Sequence, residues 1–254
     1  METIVNTSGA PEAARLLLDA RQTGTTLPHL PEHLRPQSQA DAHRIQDAII
    51  AQLGPVGGWK IFASDEPAPF LSPLPASLVF DQGHEAPKSP LPIVLVELEI
   101  ALTLGQDLPA RDIPYDAATV RGAIASFHPL LELISFSWTD RDQVDRLTQL
   151  GDLQNSAGFV VGDGLTDWRV FDPADARSVL QLDGVEVAAT STGCDLDTIL
   201  RTLALLADHA AARGVALRKG QVITTGSRLV APTGSAKSIR GEIGGLGPVW
   251  AALA

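Results

Sequence analysis

Residues 95–103 read L-V-E-L-E-I-A-L-T. Side chains alternate between the two faces of a strand, so Glu97 and Glu99 share one face while Val96, Leu98, Ile100 and Leu102 take the other. An isolated E-x-E commonly marks a solvated strand face. The flanks argue otherwise, because from Ile93 to Leu104 both faces are apolar except at the two glutamates, the pattern of a strand buried on both sides. Ionised carboxylates resist burial without a cation or hydrogen-bond donors, since desolvation costs several kcal/mol per ion. A hard divalent cation such as Mg2+ favours carboxylate oxygen and keeps part of its own water. The stretch leaves two readings open, a solvated face and a metal site.

Moving downstream, P-L-L-E-L-I-S-F at 129–136 is a second apolar strand with a lone Glu132 inside it. A third carboxylate in an apolar strand is what a three-ligand oxygen site needs, with water or substrate completing the shell. Between the two, Asp116 to Phe127 reads as a helix capped by Asp116. Upstream, G-G-W-K-I-F at 57–62 reads as a strand with Trp59 and Ile61 on one face and Lys60 on the other. Lys60 is either an edge residue reaching water or a desolvated acid/base. The Pro-, Ser- and Gly-rich region Ser64 to Pro92 is either a lid over a site or an irregular wall of a barrel.

The N-terminal part is helical: Pro11 to Arg21 and Ser38 to Leu53 both carry apolar residues at helical spacing, and a Pro- and His-rich surface connection joins them. Toward the C-terminus, D-L-Q-N-S at 152–156 is either a turn or a place where Gln154 and Asn155 meet a ligand. Asp183-Gly184 between alternating runs predicts a tight hairpin over Ser178 to Ala189. Asp195 to Arg213 predicts a helix with the stripe Leu196, Ile199, Leu203, Leu206 and Ala210. The strand Gln221 to Thr225 ends in T-T-G-S, where Thr225 and Ser227 are either carboxylate contacts or turn residues. A last glycine-rich turn and strand span Gly241 to Val249.

Composition narrows the function classes. The chain has 254 residues, a formal net charge of -11 and 44% hydrophobic residues, which suits an acidic globular protein and disfavours nucleic-acid or anionic-membrane partners. No window is long and apolar enough to span a bilayer, the N-terminal residues lack signal-peptide features, and the single Cys194 excludes an intrachain disulfide. A cytoplasmic location is expected. The six histidines lack zinc-site spacing.

Taken in order, G-W-K-I, V-E-L-E-I-A, L-E-L-I, D-L-Q-N-S-A-G-F-V-V-G, L-R-K-G-Q-V-I-T-T-G-S and G-G-L-G-P-V resemble the fumarylacetoacetate hydrolase superfamily, and within it the hydratase and decarboxylase branch of aromatic meta-cleavage catabolism. The resemblance runs from about Gln46 onward. It implies an α+β, mostly β fold, a distorted β-roll or barrel with helices packed outside, divided into an N-terminal helical segment (1–56) and a catalytic domain (57–254). It further implies Mg2+ or Mn2+ on Glu97, Glu99 and Glu132, Lys60 as the active-site lysine, Asn155 and Ser227 beside substrate, and a homo-oligomer that associates with a pathway partner enzyme.

The chain departs from the family pattern at three places. Phe62, Ala63, Ser64 and Asp65 stand where relatives continue Gly-Leu-Thr-Ser, and Ser64 joins the substrate-binding candidates on that ground. Ser135, Phe136 and Ser137 stand where an acid and an arginine are usual, leaving Ser64, Asp65 or Ser135 as candidates for a lost role. Gln154 replaces an Asp. The expected activity is a metal-dependent hydratase acting on a 2-hydroxy-2,4-dienoate of the 2-keto-4-pentenoate type. The alternatives are a decarboxylase of a vinylogous 2-oxo acid of the 4-oxalocrotonate type and a catalytically weak 2-oxo-acid-binding subunit.

Overall fold

The stretch that opens the sequence argument becomes the central strand. A computed structural model describes residues 9–62, 70–83 and 90–253. Strand β4 (Leu95–Leu104) sits mid-sheet in a seven-stranded sheet with β1 (Val56–Lys60), β2 (Ser72–Pro75), β3 (Val79–Asp81), β5 (Ile124–Ile134), β6 (Ser156–Val161) and β9 (Val222–Pro232). The order is β2-β1-β9-β4-β5-β6-β3. The sheet curls nearly into a barrel, giving the mixed α+β roll expected from the sequence. A second sheet, ordered β11-β10-β7-β8, contains β7 (Ser178–Leu182), β8 (Val185–Thr190), β10 (Ser238–Ile243) and β11 (Gly247–Ala252).

Alternation along β4 sets the layers. Val96, Leu98, Ile100 and Leu102 are buried and cluster with Leu180, Ile239, Ile243 and Val249 of the second sheet. Helix α5 (Leu196–Ala212) adds Ile199, Leu203, Leu206 and Ala210 to that core, and Asp195 caps it by accepting from the Thr198 N–H at 2.8 Å. Helices α1 (Ala10–Thr23) and α2 (Gln39–Leu53) form a separate apolar cluster, in which Leu17, Leu18, Ile45 and Ile49 pack with Trp138, Val144 and Leu153. Ser38 caps α2 through the Asp41 N–H. Among the described residues no helix is long and apolar enough to cross a membrane.

Three local expectations are corrected. The helix expected over 116–127 is α3 (Ala117–Ala123), and β5 starts at Ile124 because its residues pair with Leu104, Thr103 and Leu102 of β4; long-range pairing outweighs local propensity. The connection over 23–35 is partly interior, since Leu30 and Leu34 are buried in the α1–α2 cluster. The T-T-G-S segment does not end a strand, because β9 runs through it to Pro232 with a bulge opposite Glu99.

The Pro-rich region also supplies strands. S-P-L-P forms β2 at one edge of the sheet, where missing N–H groups are tolerated, and β3 forms the other edge. The Asp183-Gly184 hairpin is as expected, with both turn residues at positive φ.

Candidate metal centre

Register brings the three carboxylates together. Glu97 of β4 pairs directly with Glu132 of β5, and Glu99 lies two residues along the same face. One oxygen from each of the three lies within 4.8 Å of the others. Glu99 and Glu132 are buried, and Glu97 is half-buried at the opening.

Lys60 completes the cluster from β1, which β9 separates from β4. Two flat strand spacings of about 4.8 Å would put these backbones near 10 Å apart, and the curl of the sheet with the long lysine stem closes the gap. Lys60 Nζ lies 3.0 Å from Glu132 Oε1 and 3.5 Å from Glu97 Oε2. The β1–β9 contact that positions it needs Gly58, where a Cβ would sit 2.7 Å from the Val222 carbonyl oxygen. Thr224 then ties the end of β1, its hydroxyl donating to the Ile61 carbonyl at 3.1 Å and accepting from the Ile61 N–H at 3.2 Å.

The β9 bulge serves Glu99. Gly226, at φ +103°, turns its N–H to donate to Glu99 Oε2 at 2.9 Å. Glu132 fares differently, for neither of its buried oxygens has a well-directed hydrogen-bond donor, its ion pair with Lys60 aside. Burial raises the Glu99 carboxyl well above its ordinary range, and the Glu132 and Glu97 charges push it further. Burial raises Glu132 as well, against the pull of Lys60. For Lys60, burial acts to lower the ammonium, but Glu132, Glu97 and Glu99 outweigh it and raise the group above its usual value. Three carboxylates against one ammonium leave an excess of two negative charges when all are ionised, and among the described residues buried Glu132 has only Lys60 and the Ser156 hydroxyl to offset its charge. The donor set therefore fits a hard dication.

Lys60 and Glu97 of this cluster line a cavity of about 480 Å3. Asn155 lines it, with Nδ2 donating to Gln149 Oε1 at 3.2 Å. Gln154 lines it through its backbone, its carbonyl oxygen 3.5 Å from Lys60 Nζ, while its side chain donates to Ser72 Oγ at 3.0 Å and so anchors β2. Leu153, Gln154 and Asn155 all have positive φ, a strained left-handed run held by its surroundings. Arg21 of α1 holds it: Nη2 donates to the Asp152 carboxylate at 2.8 Å and to the Asp152 carbonyl at 3.0 Å, and Nη1 to the Ser156 carbonyl at 2.8 Å.

Ser227 is not brought into this cavity. It pairs with Glu99 in the β4–β9 ladder but lines a neighbouring cavity of about 270 Å3 with Phe62, Thr190 and Cys194. Ser64 and Asp65 lie outside the described residues. The sequence reading missed Arg141, Arg146, Phe70 and Phe136, which line the Lys60 cavity. The two arginines lie in a polar segment whose only sequence signal is the spacing of Arg141, Arg146 and Gln149 around a short helix, α4 (Arg146–Gly151).

No family model matches the chain. A 2-keto-4-pentenoate hydratase of Burkholderia vietnamiensis (strain G4 / LMG 22486) is 30% identical over 152 residues, which is 60% of this chain and 57% of that protein. The match thus spans little more than half of the curated relative's length. Over the full length of both chains, the fold superposes with a TM-score of 0.82 and 21% identity on 4-oxalocrotonate decarboxylase from Pseudomonas putida G7, solved with magnesium and adipate. The chain has the fold of that decarboxylase. A structure of that decarboxylase with calcium and acetate gives a TM-score of 0.80 at 20% identity over the whole of both chains. A more distant likeness, to fumarylpyruvate hydrolase from Pseudomonas aeruginosa with Mn2+ and pyruvate, covers 77% of this chain and 88% of that one with a TM-score of 0.54 and 19% identity.

Proposed function

We propose that this chain is a member of the fumarylacetoacetate hydrolase superfamily and a divalent-metal-dependent lyase, a hydratase that adds water to a 2-hydroxy-2,4-dienoate or its 2-oxo tautomer in the meta-cleavage catabolism of aromatic compounds. The observation that carries the reading is the convergence of Glu97, Glu99 and Glu132 around Lys60, with Lys60 and Glu97 lining a cavity. The curated hydratase relative supports the reaction type, and the magnesium-, calcium- and manganese-bound superfamily structures support the ion.

In this reading Glu97, Glu99 and Glu132 hold Mg2+ or Mn2+. The ion supplies Lewis-acid stabilisation of negative charge at the carboxylate and C2 oxygen of the substrate. Lys60 is the catalytic residue: its ammonium gives a proton to carbon as the dienol ketonises and the amine so formed takes the 2-hydroxyl proton; water then adds across the conjugated alkene, with hydroxyl at C4 and hydrogen at C3. The Gln154 carbonyl and the carboxylates fix the Lys60 ammonium in place. Asn155 is the substrate contact best supported by its position in the cavity wall, whereas Ser227 meets substrate only through the neighbouring cavity. A cytoplasmic homo-oligomer is part of the same proposal.

A second reading, decarboxylation of a vinylogous 2-oxo acid, is favoured by the full-length likeness to the decarboxylase fold. Ultraviolet assays of 2-hydroxypenta-2,4-dienoate and 2-oxohex-3-enedioate, with Mg2+ and with EDTA, separate the two. Metal-dependent loss of the first dienoate, abolished by Glu97→Gln, supports the hydratase; carbon dioxide from the second supports the decarboxylase. Turnover of neither, in protein that binds Mg2+, would sink both.

A further inference from the structure

We propose that the Lys60 cavity selects a dicarboxylate, with the carboxylate remote from the reacting end held by Arg141 and Arg146. This rests on the preceding reading, in which the 2-oxo or 2-hydroxy acid end lies against the glutamate cluster. In a chain of net charge -11, two solvent-exposed arginines line one cavity together with Lys60 and Glu97. The Arg146 guanidinium lies 4.9 Å from the Phe70 ring centre, and that of Arg141 lies 5.6 Å from Phe136. Aromatic faces restrict where such groups point and shield them from water on one side.

Gln149 fixes Arg141 further. Its Oε1 accepts from Arg141 Nε at 3.0 Å and from Asn155 Nδ2 at 3.2 Å, so the arginine and the cavity-wall asparagine share one anchor. Gln149 is itself held by its Nε2 donating to the Val144 carbonyl at 2.7 Å. With Nε used, the terminal nitrogens of Arg141 remain for an anion; its acidic neighbour Asp142 lies 3.4 Å away on a side chain that is 84% exposed, a weak competitor in water. The guanidinium fork matches a carboxylate in two parallel hydrogen bonds. A five-carbon monoacid would present these groups with an apolar terminus and leave them without an anion. A six- or seven-carbon diacid has room in this cavity and supplies one.

The test uses saturated probes that have no alkene to hydrate. Titration calorimetry in the presence of Mg2+ compares 2-oxoadipate with 2-oxohexanoate in the wild type, Arg141→Gln, Arg146→Gln, Arg146→Lys and the double variant R141Q/R146Q. The wild type is expected to bind the diacid about 10–100-fold tighter, from one or two charge-assisted pairs. Each Gln variant lowers that ratio several-fold, Arg146→Lys retains part of it, and the double variant brings it to about one. Equal affinities in the wild type, or a ratio untouched in the double variant, would overturn the proposal. An arginine-dependent preference that ignores Mg2+, with turnover of neither the dienoate nor 2-oxohex-3-enedioate, would sink the lyase reading and leave the clamp standing. Metal-dependent dienoate turnover with no diacid preference would do the reverse.

Discussion

The Lys60 ammonium stands 3.0 Å from Glu132 Oε1, joining a strand near one edge of the main sheet to a carboxylate in its interior. The contact crosses from β1 to β5, strands that do not pair with each other. It places the one described ammonium of the centre beside the carboxylate that otherwise has no well-directed donor. Lys60→Met is therefore expected to lower dienoate turnover by about 10²–10⁴-fold, the range for a lost general acid/base. Mg2+ binding should persist, because the oxygen ligands remain. Undiminished turnover in the variant would remove Lys60 from the mechanism.

Glu132→Gln separates metal binding from folding. Saturating Mg2+ should raise the melting temperature of the wild type, a ligand at 100 times its dissociation constant adding about 2.7 kcal/mol. The variant should lose most of that rise. In EDTA it should melt at or above the wild type, since a neutral amide replaces a buried carboxylate whose burial opposes ionisation. Equal Mg2+ stabilisation of both proteins would rule Glu132 out as a ligand.

One source of acid sensitivity lies away from the centre. His43 of α2 packs edge-on against His209, ring centres 4.6 Å apart, with Arg213 nearby. Burial, then the positive charges of Arg213 and His209, lower the His43 imidazole to about 3. The folded state thus holds His43 neutral where the unfolded chain, with the ordinary value of 6.5, takes up a proton. Its contribution is fully present above pH 6.5 and is lost as pH falls from 6.5 toward 3. Denaturant unfolding of His43→Phe against the wild type should show a shallower loss over that window; parallel curves would refute the assignment.

The Arg21–Asp152 pair ties the N-terminal helix to the wall of the site. Asp152 is fully buried and Arg21 nearly so, and burial raises the Asp152 carboxyl against the pull of Arg21. Arg21→Met leaves that carboxylate unpaired and should cost about 3–5 kcal/mol. It should also loosen the left-handed run Leu153–Asn155, so the metal-loaded protein should show a raised KM as Asn155 shifts. A loss under 1 kcal/mol by equilibrium unfolding would show that the turn holds without the clamp.

The sequence by itself determined the glutamate strand, the third carboxylate, the amphipathic helices α1, α2 and α5, and the Asp183-Gly184 hairpin, because each is written in a period of two, a period of 3.6 or a local turn preference. It also placed Lys60 beside Trp59 on opposite faces. Only the tertiary structure decided that Glu97 lies directly opposite Glu132, that β9 bulges to aim the Gly226 N–H at Glu99, and that Arg141 and Arg146 come over the same cavity while Ser227 faces another. Register between strands and the curl of a sheet depend on side chains distant in sequence, and a one-residue slip reverses every face. Residue type says what chemistry a position offers; pairing across the sheet decides which positions meet.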